Sequence, residues 1–127
     1  NNRYKKTNLA FSPSIIASNT ILWYPMKQLG FHFFSKYISS QNLDNTSKND
    51  RIILPYFINN LMINYNVEIN VLNNLFIKFQ INNLFNELYE SNGYTFGYFA
   101  GINYEVRENY YYPQAERNFL ISLELKF

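Results

Sequence analysis

Few residues in this chain have the types and spacing that catalysis requires. His32 is the only histidine and cysteine is absent, so neither a thiolate site nor a cluster of imidazole ligands can form. Ser35, His32 and Asp44 supply the side-chain types of a hydrolytic triad, but no nucleophile-elbow motif surrounds the serine. The sequence therefore predicts no catalytic residue, no metal site and no cofactor, and we do not expect an enzyme.

Composition indicates a chain rich in aromatic side chains and poor in charge. Of the 127 residues, 20% are aromatic and 16% are charged, and the formal net charge is +2. This balance provides no basic stripe for a nucleic-acid backbone, so no nucleic-acid partner is expected. A run of about 18 apolar residues, which a membrane-spanning helix needs, does not occur, whereas the strands of a spanning barrel need only alternate.

Strict alternation of apolar and polar residues is the strongest signal, and it predicts β-strands. It is clearest at the C-terminus, where five apolar side chains share one face: Phe119, Ile121, Leu123, Leu125 and Phe127. Ser122 and Glu124 lie on the opposite face of the same segment. The same pattern predicts five strands in all, at about residues 13–24, 29–38, 56–69, 75–84 and 118–127.

The connections between these strands are of two very different lengths. Residues 25–28 and 70–74 are tight links, whereas residues 39–54 and 85–117 are long and polar. Short turns at one end and long loops at the other are typical of outer-membrane barrels. We therefore predict an all-β fold, an antiparallel transmembrane β-barrel. An antiparallel soluble sandwich or small barrel also alternates, and it stays open as an alternative.

Alternation also predicts which side chains share a face of the third strand. Successive side chains point to opposite sides of a strand, so one row should face lipid and the other the barrel lumen. The lipid row is Leu61, Ile63, Tyr65 and Val67, and the lumen row is Asn60, Asn64, Asn66 and Glu68. His32 should also line the lumen. The tight link at 70–74 predicts a hairpin in which Glu68 and Lys78 approach as a cross-strand or diagonal pair.

Barrel closure is the difficulty in this interpretation. Five strands with a polar inner face cannot close a stable barrel, and an open edge in hydrocarbon leaves backbone groups unpaired at several kcal/mol each. We interpret the start at Asn1 as a truncation and expect the missing strands to come from upstream sequence or another chain. One edge of the final strand should then be unpaired within this chain.

Several segments resemble one family of membrane proteins. Asn83-Leu84-Phe85-Asn86 followed by Tyr89 resembles the NLF(D/N)xxY segment near the end of TonB-dependent outer-membrane receptors. Residues 35–37, 43–46, 90–96 and 110–115 and the ending 117–127 are similar to the Bacteroidetes branch of that family. Glu116 departs from the pattern, because most members have Gly before the Arg of the final loop. The resemblance extends from about Pro13 to the end of the chain.

This resemblance implies a barrel of about 22 strands with a plugged lumen, of which the chain would be the last five strands. It implies an outer-membrane location with a periplasmic C-terminus, periplasmic tight turns and extracellular long loops. Members of the family import scarce nutrients, often an iron chelate or vitamin B12, with energy passed by TonB. Their plug and TonB-contacting segment are N-terminal and absent from this sequence.

Partners and function follow as expectations from the resemblance. The expected partners are outer-membrane lipid, the rest of the barrel and plug, and the TonB system through the missing N-terminal part. Family members also end in a signal recognised by the barrel-assembly machinery, which here comprises Phe119, Ile121, Leu123, Leu125 and the terminal Phe127. We expect the C-terminal barrel portion of a nutrient receptor. The alternative is a structural or partner-binding barrel segment without transport.

The second long connection contains an unusual density of rings. Eight aromatic residues lie between positions 94 and 112: Tyr94, Phe96, Tyr98, Phe99, Tyr104, Tyr110, Tyr111 and Tyr112. One interpretation is a β-hairpin above the membrane whose aromatics pack on each other. The other is a platform for an apolar or aromatic ligand, with Tyr94, Phe96, Tyr98, Tyr110 and Tyr111 as the ligand-binding residues.

Overall fold

The fold is all-β, as the alternation predicts. The structure, a computed structural model, describes residues 6–69, 72–102 and 104–126. Its strands are β1 Ile16–Met26, β2 Leu29–Ile38, β3 Gln41–Asn42, β4 Ile52–Ile53, β5 Tyr56–Ile69, β6 Leu72–Asn82, β7 Glu90–Phe99, β8 Glu105–Pro113 and β9 Asn118–Lys126. No helix long and apolar enough to cross a membrane is found among the described residues.

The chain divides into two compact units. The first, the loop unit, comprises residues 1–16, 38–56 and 88–114. The second, the sheet unit, comprises residues 17–37, 57–87 and 115–127. The sheet unit is built on a five-stranded sheet with the order β1-β2-β5-β6-β9, in which β5, β6 and β9 pair antiparallel. These five strands are the counterparts of the five predicted from alternation.

The first turn is tighter than predicted. We expected residues 25–28 to connect the first two strands, but Pro25 and Met26 still belong to β1, and Lys27 and Gln28 alone form the turn. Proline cannot donate a ladder hydrogen bond and is therefore tolerated on edge strands. β1 is such an edge, because among the described residues it pairs with β2 alone.

One face of the sheet unit is an apolar grid. The register of β5, β6 and β9 aligns apolar side chains in rows of three. The rows are Leu61–Ile81–Phe119, Ile63–Phe79–Ile121, Tyr65–Ile77–Leu123 and Val67–Leu75–Leu125. The rings of Trp23 and Phe31 stack on each other, with centroids 5.2 Å apart. The predicted grouping of Leu61, Ile63, Tyr65 and Val67 on one face is confirmed.

The opposite face of β5, β6 and β9 is mostly polar, although Met62, Phe76 and Leu120 also lie on it. Asn64 lies opposite Lys78, and Lys78 lies opposite Ser122. His32 belongs to this face, since its Nε2 lies 3.2 Å from Asn64 Nδ2 and 3.1 Å from Tyr24 Oη. A concave cavity of about 360 Å³ opens on the same face and includes Lys78 and Glu124 in its lining.

The predicted pairing of Glu68 with Lys78 is wrong. The register places Asn64 opposite Lys78, so Asn66 rather than Glu68 is the diagonal neighbour. A register shift between Val67 and Ile69 then displaces the end of β5 further. Such a bulge depends on the geometry of the turn, and side-chain alternation alone cannot locate it.

The sheet does not close on itself. Among the described residues β9 pairs with β6 alone, and β1 is the other edge. The expectation that the final strand has an unpaired edge within this chain is therefore confirmed. The all-β antiparallel fold is confirmed as well, but no closed barrel is present in the described part of the chain.

The asparagine-rich segment after β6 forms a hydrogen-bonded clamp. Asn83 has a positive φ of 52°, which asparagine tolerates better than most residues, and is 5% exposed. Its Nδ2 donates to the carbonyl oxygens of Glu87 at 2.8 Å and Ala115 at 3.3 Å, and its Oδ1 accepts from Glu87 N at 2.9 Å. Asn86 Oδ1 accepts from Arg117 N at 2.7 Å. The clamp thus ties the end of β6 to the start of β9.

The loop unit has its own small core and its own sheets. Ile38, Leu43, Ile53 and Tyr56 are its buried apolar residues. Short strands β3 and β4 pair antiparallel, and β7 and β8 form a longer antiparallel hairpin. The connections predicted as long polar loops are therefore folded, and the aromatic segment forms a β-hairpin.

Candidate functional site

The exposed face of the β7–β8 hairpin is a ladder of aromatic rings. The register places Tyr94 opposite Tyr110 and Asn92 opposite Tyr112. Tyr94 and Tyr110 stack with centroids 4.9 Å apart and planes inclined by 13°. The ring centroid of Tyr112 lies 6.2 Å from that of Tyr94. Further along the same strand, Phe96 and Tyr98 contact each other with centroids 6.1 Å apart.

These rings are open to the surroundings. Tyr94, Phe96, Tyr98, Tyr110 and Tyr112 are each between 45% and 57% exposed. We define these five residues as the aromatic face. Aromatic pairs of this kind stabilise a hairpin by about 0.5–1.5 kcal/mol beyond burial. Half of each ring remains available, so the face can offer planar apolar area to a ligand.

The aromatic face differs from the predicted ligand-binding set at two positions. Tyr94, Phe96, Tyr98 and Tyr110 are brought together as expected. Tyr111 belongs to the other face, opposite Gly93, and its hydroxyl donates to the carbonyl oxygen of Ile52 at 3.0 Å. Tyr112 was not in the predicted set although it shares the parity of Tyr110, which was the signal that could have included it.

The inner face of the hairpin packs on the rest of the loop unit. Gly93 is buried, and a Cβ there would lie 2.5 Å from the carbonyl oxygen of Tyr110 and 3.1 Å from Leu43 Cδ2. Only glycine therefore permits this close approach. Asn109 Nδ2 donates to the carbonyl oxygen of Asp50 at 2.6 Å. The inner face is thus structural, and the outer face carries the available rings.

A buried arginine organises the segment on which the hairpin rests. Arg51 is 2% exposed, and its guanidinium lies 3.0 Å from carboxylate oxygens of both Asp44 and Asp50. Glu105, at the start of β8, lies 3.6 Å from Arg51 and also pairs with Arg107. Carboxylates from two separate segments therefore neutralise one buried cation, as a charge in this position requires.

The pKa values of these groups follow from the pairing. Hydrogen bonding to Asp50 raises the pKa of Arg51 above its ordinary value. Burial alone raises the pKa of Asp44, but hydrogen bonds from Thr46 and Arg51 outweigh it, and the net pKa is lowered. The hydrogen bond from Arg107 lowers the pKa of Glu105. The cluster is therefore fully ionised near neutral pH and acts as a charge-paired support.

One carboxylate reaches the aromatic face itself. Tyr110 Oη donates a hydrogen bond to Glu108, and this bond raises the pKa of Tyr110. Glu108 lies opposite Phe96 in the hairpin. No group of three or more metal-ligating side chains occurs among the described residues. The arrangement combines exposed rings that can stack with one acidic group.

The predicted assembly-signal residues lie on the apolar grid. Phe119, Ile121, Leu123 and Leu125 are 59%, 71%, 65% and 48% exposed. They follow one another on the same face of edge strand β9. Phe127, the last member of the predicted set, lies outside the described residues.

No protein-family model, no curated protein and no solved structure matches this chain.

Proposed function

We propose that this chain forms part of the wall and the loops of an outer-membrane β-barrel. We infer that it is the C-terminal barrel portion of a TonB-dependent receptor for a scarce nutrient such as an iron chelate or vitamin. In this proposal the apolar grid faces lipid and the polar face lines the lumen. The tight turns are periplasmic, and the loop unit is extracellular. Outer-membrane lipid, the rest of the barrel and plug, the TonB system and the assembly machinery are the proposed partners.

The observation that carries the proposal is the apolar grid. Its β9 members and Tyr65 are exposed, and its other members are half-buried. It presents apolar side chains on three adjacent strands without an interrupting charge. Extended apolar patches on soluble monomers are rare and mark contact with a partner or a membrane. The reverse side of the same strands carries amides and charges, so burial of that side in a dry protein core would be costly. A lipid exterior with a watery interior satisfies both faces.

Strand length supports the same proposal. β1, β2, β6 and β9 have 11, 10, 11 and 9 residues, and β5 has 14. A tilted strand needs about 9–11 residues to cross a bilayer. From Phe57 to Val67 the chain rises about 34 Å, which at a tilt of about 40° gives roughly 26 Å, close to the usual apolar band of about 25 Å.

The hydrogen bonds of the NLF(D/N)xxY-like segment suggest a structural role for its asparagines in such a barrel. Asn83 and Asn86 are the two residues whose amides fasten the ends of the long connection. Fastening both ends of this connection lowers the conformational entropy that an extracellular loop would lose when ligand binds. We propose the aromatic face as the part of the loop unit that contacts ligand.

Lipid contact can be tested with a pair of adjacent single-cysteine variants. The chain has no native cysteine, so Ile63→Cys and Met62→Cys each carry one label site at the same depth on opposite faces. The labelled chain is folded in mixed micelles that contain brominated phospholipid, which quenches a fluorescent label on contact. We expect strong quenching at position 63 and weak quenching at position 62.

The matched design distinguishes lipid contact from general adsorption. Equal quenching at positions 62 and 63 would show that the chain has no lipid-facing side. Absence of quenching at both positions, with a folded chain, would favour the soluble β-domain and refute the proposal.

A further inference from the structure

The apolar side of the sheet unit is interrupted at one end by a polar notch. The notch is a cavity of about 250 Å³ lined by Ala17, Ser18, Asn19, Ser35, Tyr37 and Phe57. Asn59, the one amide in the apolar row of β5, adjoins it and is 3% exposed. Ser35 Oγ donates to Asn59 Oδ1 at 2.7 Å. The lining residue Ser35 is therefore held by a hydrogen bond to a buried amide.

The depth of the notch makes it unusual for a lipid-facing surface. Tyr37 and Phe57 lie at strand ends, where aromatic girdles of barrels meet the membrane interface. Ser35 and Asn59 are each two residues further into the sheet, which is about 7 Å along the strand and about 5 Å in depth at a tilt of about 40°. At that depth water is scarce, so polar groups need another polar partner.

The notch also contains an exposed amide side chain. Asn19 is exposed, and its side chain is hydrogen-bonded to none of the described residues. The hydroxyls of Ser35 and Tyr37, which share this side of the sheet with Asn19, also line the notch. The notch thus offers amide and hydroxyl groups to an occupant that arrives from the lipid side.

The chemistry of the lining selects the occupant. None of the six lining residues is charged, so a phosphate or carboxylate would find no counter-charge. Hydroxyl and amide groups both donate and accept, which suits the hydroxyls of a sugar. The rings of Tyr37 and Phe57 flank the opening and can cover the apolar faces of a sugar or the first carbons of an acyl chain. We propose that the notch binds the sugar headgroup of a membrane glycolipid, an inference that rests on the proposed membrane location.

The test compares lipids in mixed micelles around the full-length chain. Ala17→Cys places a fluorescent label in the notch, and Leu123→Cys places the same label on the apolar grid, far along the same face. The quenchers are spin-labelled galactosyl diacylglycerol, spin-labelled phosphatidic acid and spin-labelled phosphatidylcholine. We expect the galactolipid to be enriched about two- to tenfold at position 17 over position 123, the range for one net hydrogen bond.

A second variant tests whether the polar groups cause the enrichment. Asn19→Leu should abolish the galactolipid preference at position 17 without changing quenching at position 123. Ser122→Leu, an exposed polar-to-leucine change on the polar face, is the matched control and should leave the preference intact. Both sites are exposed, so neither change is expected to unfold the sheet.

The possible results distinguish failure of the glycolipid site from failure of the proposed function. Equal quenching by all three lipids at position 17, or a preference for phosphatidic acid, would overturn the glycolipid site while leaving lipid contact at position 123 intact. Loss of all quenching at position 123 would overturn the proposed membrane location together with the glycolipid site.

Discussion

Substitution of Ile63 by a charged residue gives the most quantitative test of whether the apolar grid faces lipid. Ile63 follows Tyr56 by seven residues and precedes Ile69 by six within β5, and it lies in the row with Phe79 and Ile121. A strand that crosses a bilayer therefore places Ile63 near the midplane. An arginine on the lipid face at the midplane costs about 2–4 kcal/mol, and the cost falls to about 0–1 kcal/mol near the interfaces.

We expect Ile63→Arg to lower the free energy of unfolding of the lipid-bound chain by about 2–4 kcal/mol. Met62→Arg is the matched control, since Met62 is the neighbouring residue on the polar face opposite Gln80. It should change the same quantity by about 0.5 kcal/mol or less. The assay is urea titration of the chain on short-chain phosphatidylcholine bilayers, monitored by Trp23, the only tryptophan.

Two results would refute the reasoning. Equal costs for the two variants would mean that both faces meet the same environment. A large cost of Ile63→Arg that persists for a chain folded in buffer without lipid would place Ile63 in a protein core, as the soluble sandwich requires.

Four further predictions concern the loop unit, the clamp and the sheet edges. Arg51→Met should destabilise the loop unit by about 2 kcal/mol, between the values for exposed and buried pairs. The pKa of Asp44 is lowered from its ordinary 3.8, so its ionised carboxylate should contribute fully to the stability of the loop unit above that pH. This contribution should be lost as the pH falls through the lower pKa of the folded state. Asp44→Asn should remove this acid dependence in thermal melts. Asn83→Gly, which keeps the positive φ but removes the amide, should speed hydrogen exchange at the Glu87 amide, and unchanged exchange would contradict the clamp. In buffer without lipid the chain should self-associate through its open edges and apolar grid, and sedimentation as a compact monomer would argue against this.

Much of the sheet unit could be predicted from the sequence because a strand has a local period of two. The predicted grouping of Leu61, Ile63, Tyr65 and Val67 on one face needed no knowledge of partners. The approximate places of the two tight turns followed from interruptions of the alternation. Both predicted links were too long, because Pro25 and Met26 belong to β1 and residues 72–74 belong to β6. The assignment of His32 to the polar face followed equally from parity.

Only the tertiary structure decided how the strands align and which distant residues meet. Alternation determines on which face of the sheet Lys78 lies, but not which residue of the neighbouring strand it faces. Its pairing with Asn64 rather than Glu68 therefore depended on the turn and on the register shift after Val67. Arg51 lies in a polar connection that gives no local sign of burial, and its contact with Glu105 joins segments 54 residues apart along the chain. Such contacts depend on how separate segments pack, and packing is determined by the whole set of interactions rather than by the period of any one strand.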